Sequence, residues 1–172
     1  MTMRLDLQQA VEAEDLPEEH DFQRWCEAAL VAAGQETAVE LTIRLCDNAE
    51  IQQLNRDFRG KDKPTNVLSF PFEALPIDPL QLLDAYAGDT AQLDLPLLGD
   101  IVMAPEVIAA EAQAQGKMLH DHFAHMSIHG VLHLLGYDHS KSTDAEAMER
   151  LEIDILHGLG IANPYNYIAD SG

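Results

Sequence analysis

Three histidines, His129, His133 and His139, stand at positions i, i+4 and i+10 in the run His129-Gly130-Val131-Leu132-His133-Leu134-Leu135-Gly136-Tyr137-Asp138-His139. An α-helix turns every 3.6 residues, so the first two imidazoles project from one face, one turn apart. Gly136 suits the left-handed conformation that ends a helix, after which the chain folds back and His139 closes a third ligand position. Three neutral nitrogens with one open position form the usual donor set of a catalytic zinc site, so one zinc ion per chain is expected. His125 is a rival ligand, four residues before His129. A helix rises about 1.5 Å per residue, so His125, His129 and His133 span about 12 Å of axis. Nitrogen–zinc bonds are only about 2.1 Å, so one ion does not easily take all three. His125 is therefore read as a neighbour in the site or a core residue. The competing account is a run of core histidines satisfied by hydrogen bonds. It suits a lone histidine better than three at this spacing with a glycine stop.

The helix that must carry these residues covers about 118–135, and beyond His120-Asp121-His122 its apolar residues fall on nearly every side. Such a helix is normally buried, and buried histidines are costly unless paired or bound to a metal. His120 and His122, near its start, are expected to be partly exposed. Gly130 costs about 1 kcal/mol relative to alanine in a helix interior, so a packing or access reason is expected. The reading adopted is open space beside His129, where a substrate could approach. His20 and His157 are isolated and carry no signal.

The histidine spacing matches that of the metzincin proteases, His-Glu-x-x-His-x-x-Gly-x-x-His, except that Gly130 stands where those enzymes have their glutamate general base. Zinc can still lower the pKa of its water toward ~7, but peptide hydrolysis by the usual route loses its base. Two further stretches accompany the motif: Asn55-Arg56-Asp57-Phe58-Arg59-Gly60-Lys61-Asp62-Lys63-Pro64-Thr65-Asn66-Val67-Leu68-Ser69-Phe70-Pro71 and Leu98-Gly99-Asp100-Ile101-Val102. In their order and rough spacing, the three blocks resemble the YbeY endoribonucleases, bacterial factors for ribosomal RNA maturation. The resemblance covers about residues 40–157.

The resemblance implies that His129, His133 and His139 are zinc ligands and that Arg59 is important for activity. It implies an α/β (α+β) fold, a small mixed β-sheet flanked by helices with the metal helix packed beneath it. It also implies metal-dependent cleavage of single-stranded RNA, including small-subunit ribosomal RNA 3′-end processing and ribosome quality control. The implied partners are ribosomal RNA, the small ribosomal subunit and its assembly factors; no membrane or DNA partner is expected.

Charge bears on that reading independently. The chain has 10 Lys+Arg against 30 Asp+Glu, a formal net charge of −20, a poor composition for a non-specific RNA binder. Four of the ten cations, Arg56, Arg59, Lys61 and Lys63, nevertheless fall within eight residues, and none lies between Pro64 and Gly116. One local basic patch on an acidic body is implied. A solvated turn is the plainer account, since Gly-Lys-Asp-Lys-Pro is good turn chemistry. As a substrate-binding patch, its best single residue is Arg59, because a guanidinium clamps a phosphate through two hydrogen bonds. With His129, Arg59 is the catalytic candidate. Asp138 and Asp100 are candidates for orienting a metal-bound imidazole, which usually donates its other N–H to a carboxylate or carbonyl.

At 172 residues one domain is expected, with about four strands and about five helices. There is no apolar run of 18 residues and nothing like a signal peptide, so a cytoplasmic protein is expected. Cys26 and Cys46 read as reduced core residues. Period-two alternation marks strands at Met3-Leu5-Leu7 and Leu41-Ile43-Leu45; Val67 to Phe72 and Ile101 to Ala104 are short apolar strands. Helices are expected from Phe22 to Ala33, from an Asp47/Glu50 capping box toward Phe58, from Pro105 to a stop at Gly116, over the histidines, and from a Thr143/Glu146 cap to Gly158. Residues at about 74–97 form an irregular insertion in this scheme, either a tolerated surface loop or a flap beside the site, with a possible short helix at Leu80 to Tyr86. Two other functions fit parts of the pattern: a metal-dependent hydrolase of a peptide or amide, and a ribosome assembly factor with a structural zinc.

Overall fold

Alternating apolar residues make the strands. β1 (Met3–Gln9) buries Met3 and Leu5, and β2 (Val39–Leu45) buries Val39, Leu41, Ile43 and Leu45. The computed structural model describes residues 3–72, 96–137 and 142–165. Two more strands, β3 (Val67–Pro71) and β4 (Leu97–Met103), complete a sheet of order β1-β2-β4-β3. β1 and β4 both run parallel to β2, and β3 is antiparallel to β4. The sheet is therefore mixed, as expected. β4 starts at Leu97, so the irregular stretch ends earlier than the sequence suggested. Residues 73–95, with the helix expected at Leu80 to Tyr86, lie outside the described residues.

Five helices accompany the strands among the described residues: α1 (Glu19–Ala32), α2 (Asn48–Arg59), α3 (Pro105–Gln115), α4 (Leu119–Leu134) and α5 (Ser142–Gly158). The Asp47 carboxylate accepts the Glu50 N–H at 2.8 Å, capping α2. The Glu50 side chain does not complete the capping box but pairs with Arg44 at 2.5 and 3.0 Å. Gly60, with φ of 72°, ends α2, and Gly116, with φ of 67°, ends α3. Helix α5 already includes Ser142, so Thr143 lies inside it and not at its cap. No helix among the described residues is long and apolar enough to cross a membrane.

Apolar clusters form on both faces of the sheet. The larger joins β1, β2 and β4 to α1, α4 and α5 through Trp25, Leu41, Ile101, Phe123, Ile128 and Leu156. The smaller holds Cys46, Ile51, Leu68, Val102 and Ala104 against Leu54, Phe70 and Val107. Both cysteines are buried free thiols, and burial pushes each up to about 12. Helix α4 is enclosed by the sheet, α1, α3 and α5, which is why its apolar residues run around its whole circumference.

Two expectations about α4 need correction. His122 is buried, not partly exposed, and its Nε2 lies 2.9 Å from Glu111 Oε1. Asn66 donates to the same carboxylate at 3.0 Å, tying the start of β3 to α3 and α4. Gly130 does not open space for a substrate. A Cβ there would stand 3.0 Å from Ile101 Cδ1 and Cγ2, so the glycine lets α4 lie close on β4.

The tightest approach is at Gly99. A Cβ there would come 2.4 Å from the Phe70 carbonyl oxygen and 2.7 Å from Leu134 Cδ2, and φ is +152°. The β3–β4 pairing against the end of α4 thus requires a residue with no side chain. Gly99→Ala is expected to destabilise the fold by at least about 2 kcal/mol, from backbone strain plus overpacking. Urea unfolding checks this; an unchanged midpoint would show that the pairing relaxes without cost.

Candidate metal centre and cleft

The last two turns of α4 carry His129 and His133. Their Nε2 atoms are 3.0 Å apart, and the ring centroids 4.4 Å. The helix ends as the glycine predicts. Gly136 has φ of +100°, its N–H donates to the His133 carbonyl, and the Tyr137 N–H donates to the Leu132 carbonyl. These two crossed bonds are the glycine-dependent helix stop. Asp138 and His139 follow the turn directly and lie outside the described residues.

Behind the imidazoles sits a carboxylate that sequence reading missed. Glu152, on α5, has no solvent exposure; its Oε2 lies 2.6 Å from His129 Nδ1 and its Oε1 3.2 Å from His125 Nε2. The Tyr165 hydroxyl donates to Oε1 as well. Burial pushes the Glu152 carboxyl up, but the hydrogen bonds and charges of His125 and His129 outweigh it and hold the group at about 2. Burial holds His125 below its ordinary value, against the pull of Glu152. The Tyr165 hydroxyl is raised by burial and by the adjacent carboxylate. A signal for Glu152 was available: it falls four residues after Met148 and four before Leu156, on the apolar stripe of α5.

His125, His129 and Glu152 form a group that could hold a metal ion, with donor atoms within 4.8 Å of one another. The 2.6 Å contact between His129 and Glu152 is nevertheless a charge-assisted hydrogen bond, with no room for an ion between those atoms. With Nδ1 committed to Glu152, the other nitrogen of His129 is the one that points toward His133.

His129 and His133 line a cleft of about 940 Å³ that also takes in Phe58, Arg59, residues 65–71, Gly136 and Tyr137. The cleft runs around the edge of β3 from the end of α2 to the end of α4. The sequence-predicted cations distribute unevenly about it. Arg59 lines the cleft and has no carboxylate partner among the described residues. Arg56 is paired with Asp57 at 3.5 Å and Asp62 at 3.9 Å. Lys61 and Lys63 are exposed on the loop after α2. Buried Asn55 shapes that loop by donating to the Lys63 carbonyl at 2.9 Å. Asp100 is not brought to the histidines. It is exposed, and strand alternation sends it to the face opposite Ile101, which packs on α4.

The chain matches known proteins over most of its length. The family model described as Endoribonuclease YbeY matches residues 6–160. The chain is 50% identical over 165 residues to Endoribonuclease YbeY of Pseudoalteromonas translucida (strain TAC 125), covering 96% of this chain and 97% of the relative. Its fold is similar to the solution structure of TM1509 from Thermotoga maritima, with a TM-score of 0.52 at 22% identity over 92% of each chain. The order of the three sequence blocks, the histidine pair on its carboxylate and the extent of the match lead to one conclusion: the chain belongs to the endoribonuclease YbeY family.

Proposed function

We propose that this chain is a zinc-dependent endoribonuclease that cuts single-stranded RNA. Its role in the cell is maturation of ribosomal RNA, at the 3′ end of the small-subunit RNA, and ribosome quality control. The observation that carries the chemistry is the 3.0 Å separation of His129 Nε2 and His133 Nε2 at the wall of a cleft that also holds Arg59. Two nitrogens about 2.1 Å from one ion, at about 90–110°, stand about 3.0–3.4 Å apart, so the pair fits a shared zinc. His139, just past the Gly136 turn, supplies the third nitrogen. Helix termini support the placement: His133 lies in the last turn of α4, where the backbone dipole favours positive charge.

Bound there, zinc supplies Lewis acidity and a water of lowered pKa. The protein groups do the rest. Glu152 fixes the tautomer and orientation of His129, as a carboxylate behind a ligating imidazole does. Arg59 holds and neutralises the scissile phosphate through its two-pronged contact. Lys61 and Lys63 contact flanking phosphates, with Arg56 a weaker contributor because its guanidinium is already paired. Gly130 leaves the metzincin glutamate position without a base and packed on Ile101, which speaks against the protease route. The endoribonuclease activity for which the family and the Pseudoalteromonas relative are named supports RNA as the substrate. The small ribosomal subunit and its assembly factors are the proposed partners, in the cytoplasm.

Purified protein should carry about one zinc per chain. His139→Ala should lose most of it, and Glu152→Gln should weaken zinc affinity about 10- to 100-fold through the loss of imidazole orientation. Metal titration against a competing chelator reads both. Wild-type affinity in His139→Ala would remove that ligand from the site.

Arg59→Ala should keep zinc and fold but lose most RNA cleavage, and Arg59→Lys should recover only part of it, because an ammonium cannot make the bidentate contact. Undiminished turnover in Arg59→Ala would take the residue out of the mechanism.

RNA binding should be weak, with a shallow salt dependence. Counting about 0.7 counterion per phosphate on a single strand, the slope should correspond to roughly two to four contacts. Titration of single-stranded RNA at several ionic strengths measures it. A slope equivalent to about eight contacts would require an extended basic groove on this acidic protein.

A further inference from the structure

The chain has five phenylalanines, and they divide by location. Phe22 and Phe123 are fully buried. The other three gather at the edge of the sheet. Phe58, in the last turn of α2, is 68% exposed and meets Phe70 of β3 edge-to-face with ring centroids 5.2 Å apart. Phe72, two residues after Phe70, is 53% exposed. Phe58 and Phe70 both line the cleft that contains Arg59, His129 and His133.

Exposing a phenyl ring in the last turn of a helix forgoes the gain of burying it. Phe70 holds the ring by one edge contact, the favoured geometry of an aromatic pair, and leaves most of its surface to the solvent. A nucleobase is a ligand suited to such a surface, since bases splayed from a single strand stack on aromatic side chains. The charge of the protein makes this contact more important. With a net charge of −20 and one small cluster of cations, phosphate contacts can supply only a small part of RNA affinity. Stacking needs no positive charge.

We propose that Phe58, braced by Phe70, is the stacking platform for a nucleobase next to the phosphate held by Arg59; this rests on the endoribonuclease reading and adds a base-binding subsite to it. Phe58 and Arg59 both line this cleft, so a ring and a guanidinium are available there to the base and the phosphate of one nucleotide step. Because every base has a π-face, the subsite selects unpaired over paired RNA more than one sequence over another.

The experiment uses zinc-loaded enzyme and an oligoribonucleotide cut at one site. KM and kcat are measured for wild type, Phe58→Leu and Phe58→Tyr, on intact RNA and on a series with one abasic nucleotide moved along the strand. In the wild type, one abasic position beside the cleaved bond should raise KM about 10-fold, within the range of one base–aromatic stack. Phe58→Leu, which keeps the apolar bulk without the ring, should raise KM on intact RNA by about the same factor and be indifferent to that abasic position. Phe58→Tyr should behave as wild type. Thermal unfolding of each variant separates loss of fold from loss of the ring. Enzyme that cuts RNA with a KM indifferent to Phe58, or with equal abasic effects in wild type and Phe58→Leu, overturns the stacking subsite alone. Enzyme that cuts no single-stranded RNA overturns the nuclease reading and the subsite with it.

Discussion

A carboxylate with no solvent exposure must be surrounded by donors, and Glu152 is the group on which the rest of this centre depends. Its two oxygens are taken by His129, His125 and the Tyr165 hydroxyl. Each contact crosses from one element to another. His129 and His125 lie on α4, Glu152 on α5, and Tyr165 on the segment after α5. The pairing therefore fixes how α5 crosses α4 and, in the same step, which nitrogen of His129 faces the cleft. Removing one member of a buried ionic cluster typically costs about 3–5 kcal/mol, because the remaining charge is stranded. Structure and chemistry are coupled here through one residue.

Charge constrains how so acidic a protein can meet an anionic polymer. Thirty acidic residues against ten basic ones make the surface repulsive to RNA at long range. The exception is the end of α2, where Arg56 and Arg59 sit in the last turn, at the negative end of the helix dipole. Arg56 is drawn off by Asp57 and Asp62, which leaves Arg59 as the cation of that turn that lines the cleft.

Much of this was legible in the sequence, for identifiable reasons. Period-two alternation located β1 and β2, and Gly116 and Gly136 adopt the positive φ expected of the helix stops they were read as. The i, i+4 histidine pair is a local fact of helix geometry, so it survived folding intact. What failed depended on contacts between distant segments. Gly130 looked like an opening, but Ile101, 29 residues earlier in the chain, fills the space. His122 looked partly exposed because it lies near the start of its helix, yet Glu111 on α3 receives it. Glu152 went unread, because the partners that give it a role lie 23 and 27 residues away in the chain. Asp100 was proposed from its neighbours in the chain; the pleat sends it to the other face.

The reversed strand explains how the two halves of the cleft meet at all. Helices α2 and α4 lie on opposite faces of the sheet, so a central strand between them would keep Arg59 and the histidines apart. β3 is instead at the edge, and it runs antiparallel to β4. Leaving α2, the chain turns through Gly60 and the loop held by Asn55, then enters β3 directly. One face of β3 carries Leu68 and Phe70 to the α2 side, and on the other Ser69 donates to the Gly130 carbonyl of α4 at 3.1 Å. The close approach at Gly99 lets β3 and the end of α4 share the same corner. A short edge strand thus brings a cation from one face and two imidazoles from the other into one cleft. That juxtaposition is a property of strand order, and no local motif in the chain encodes it.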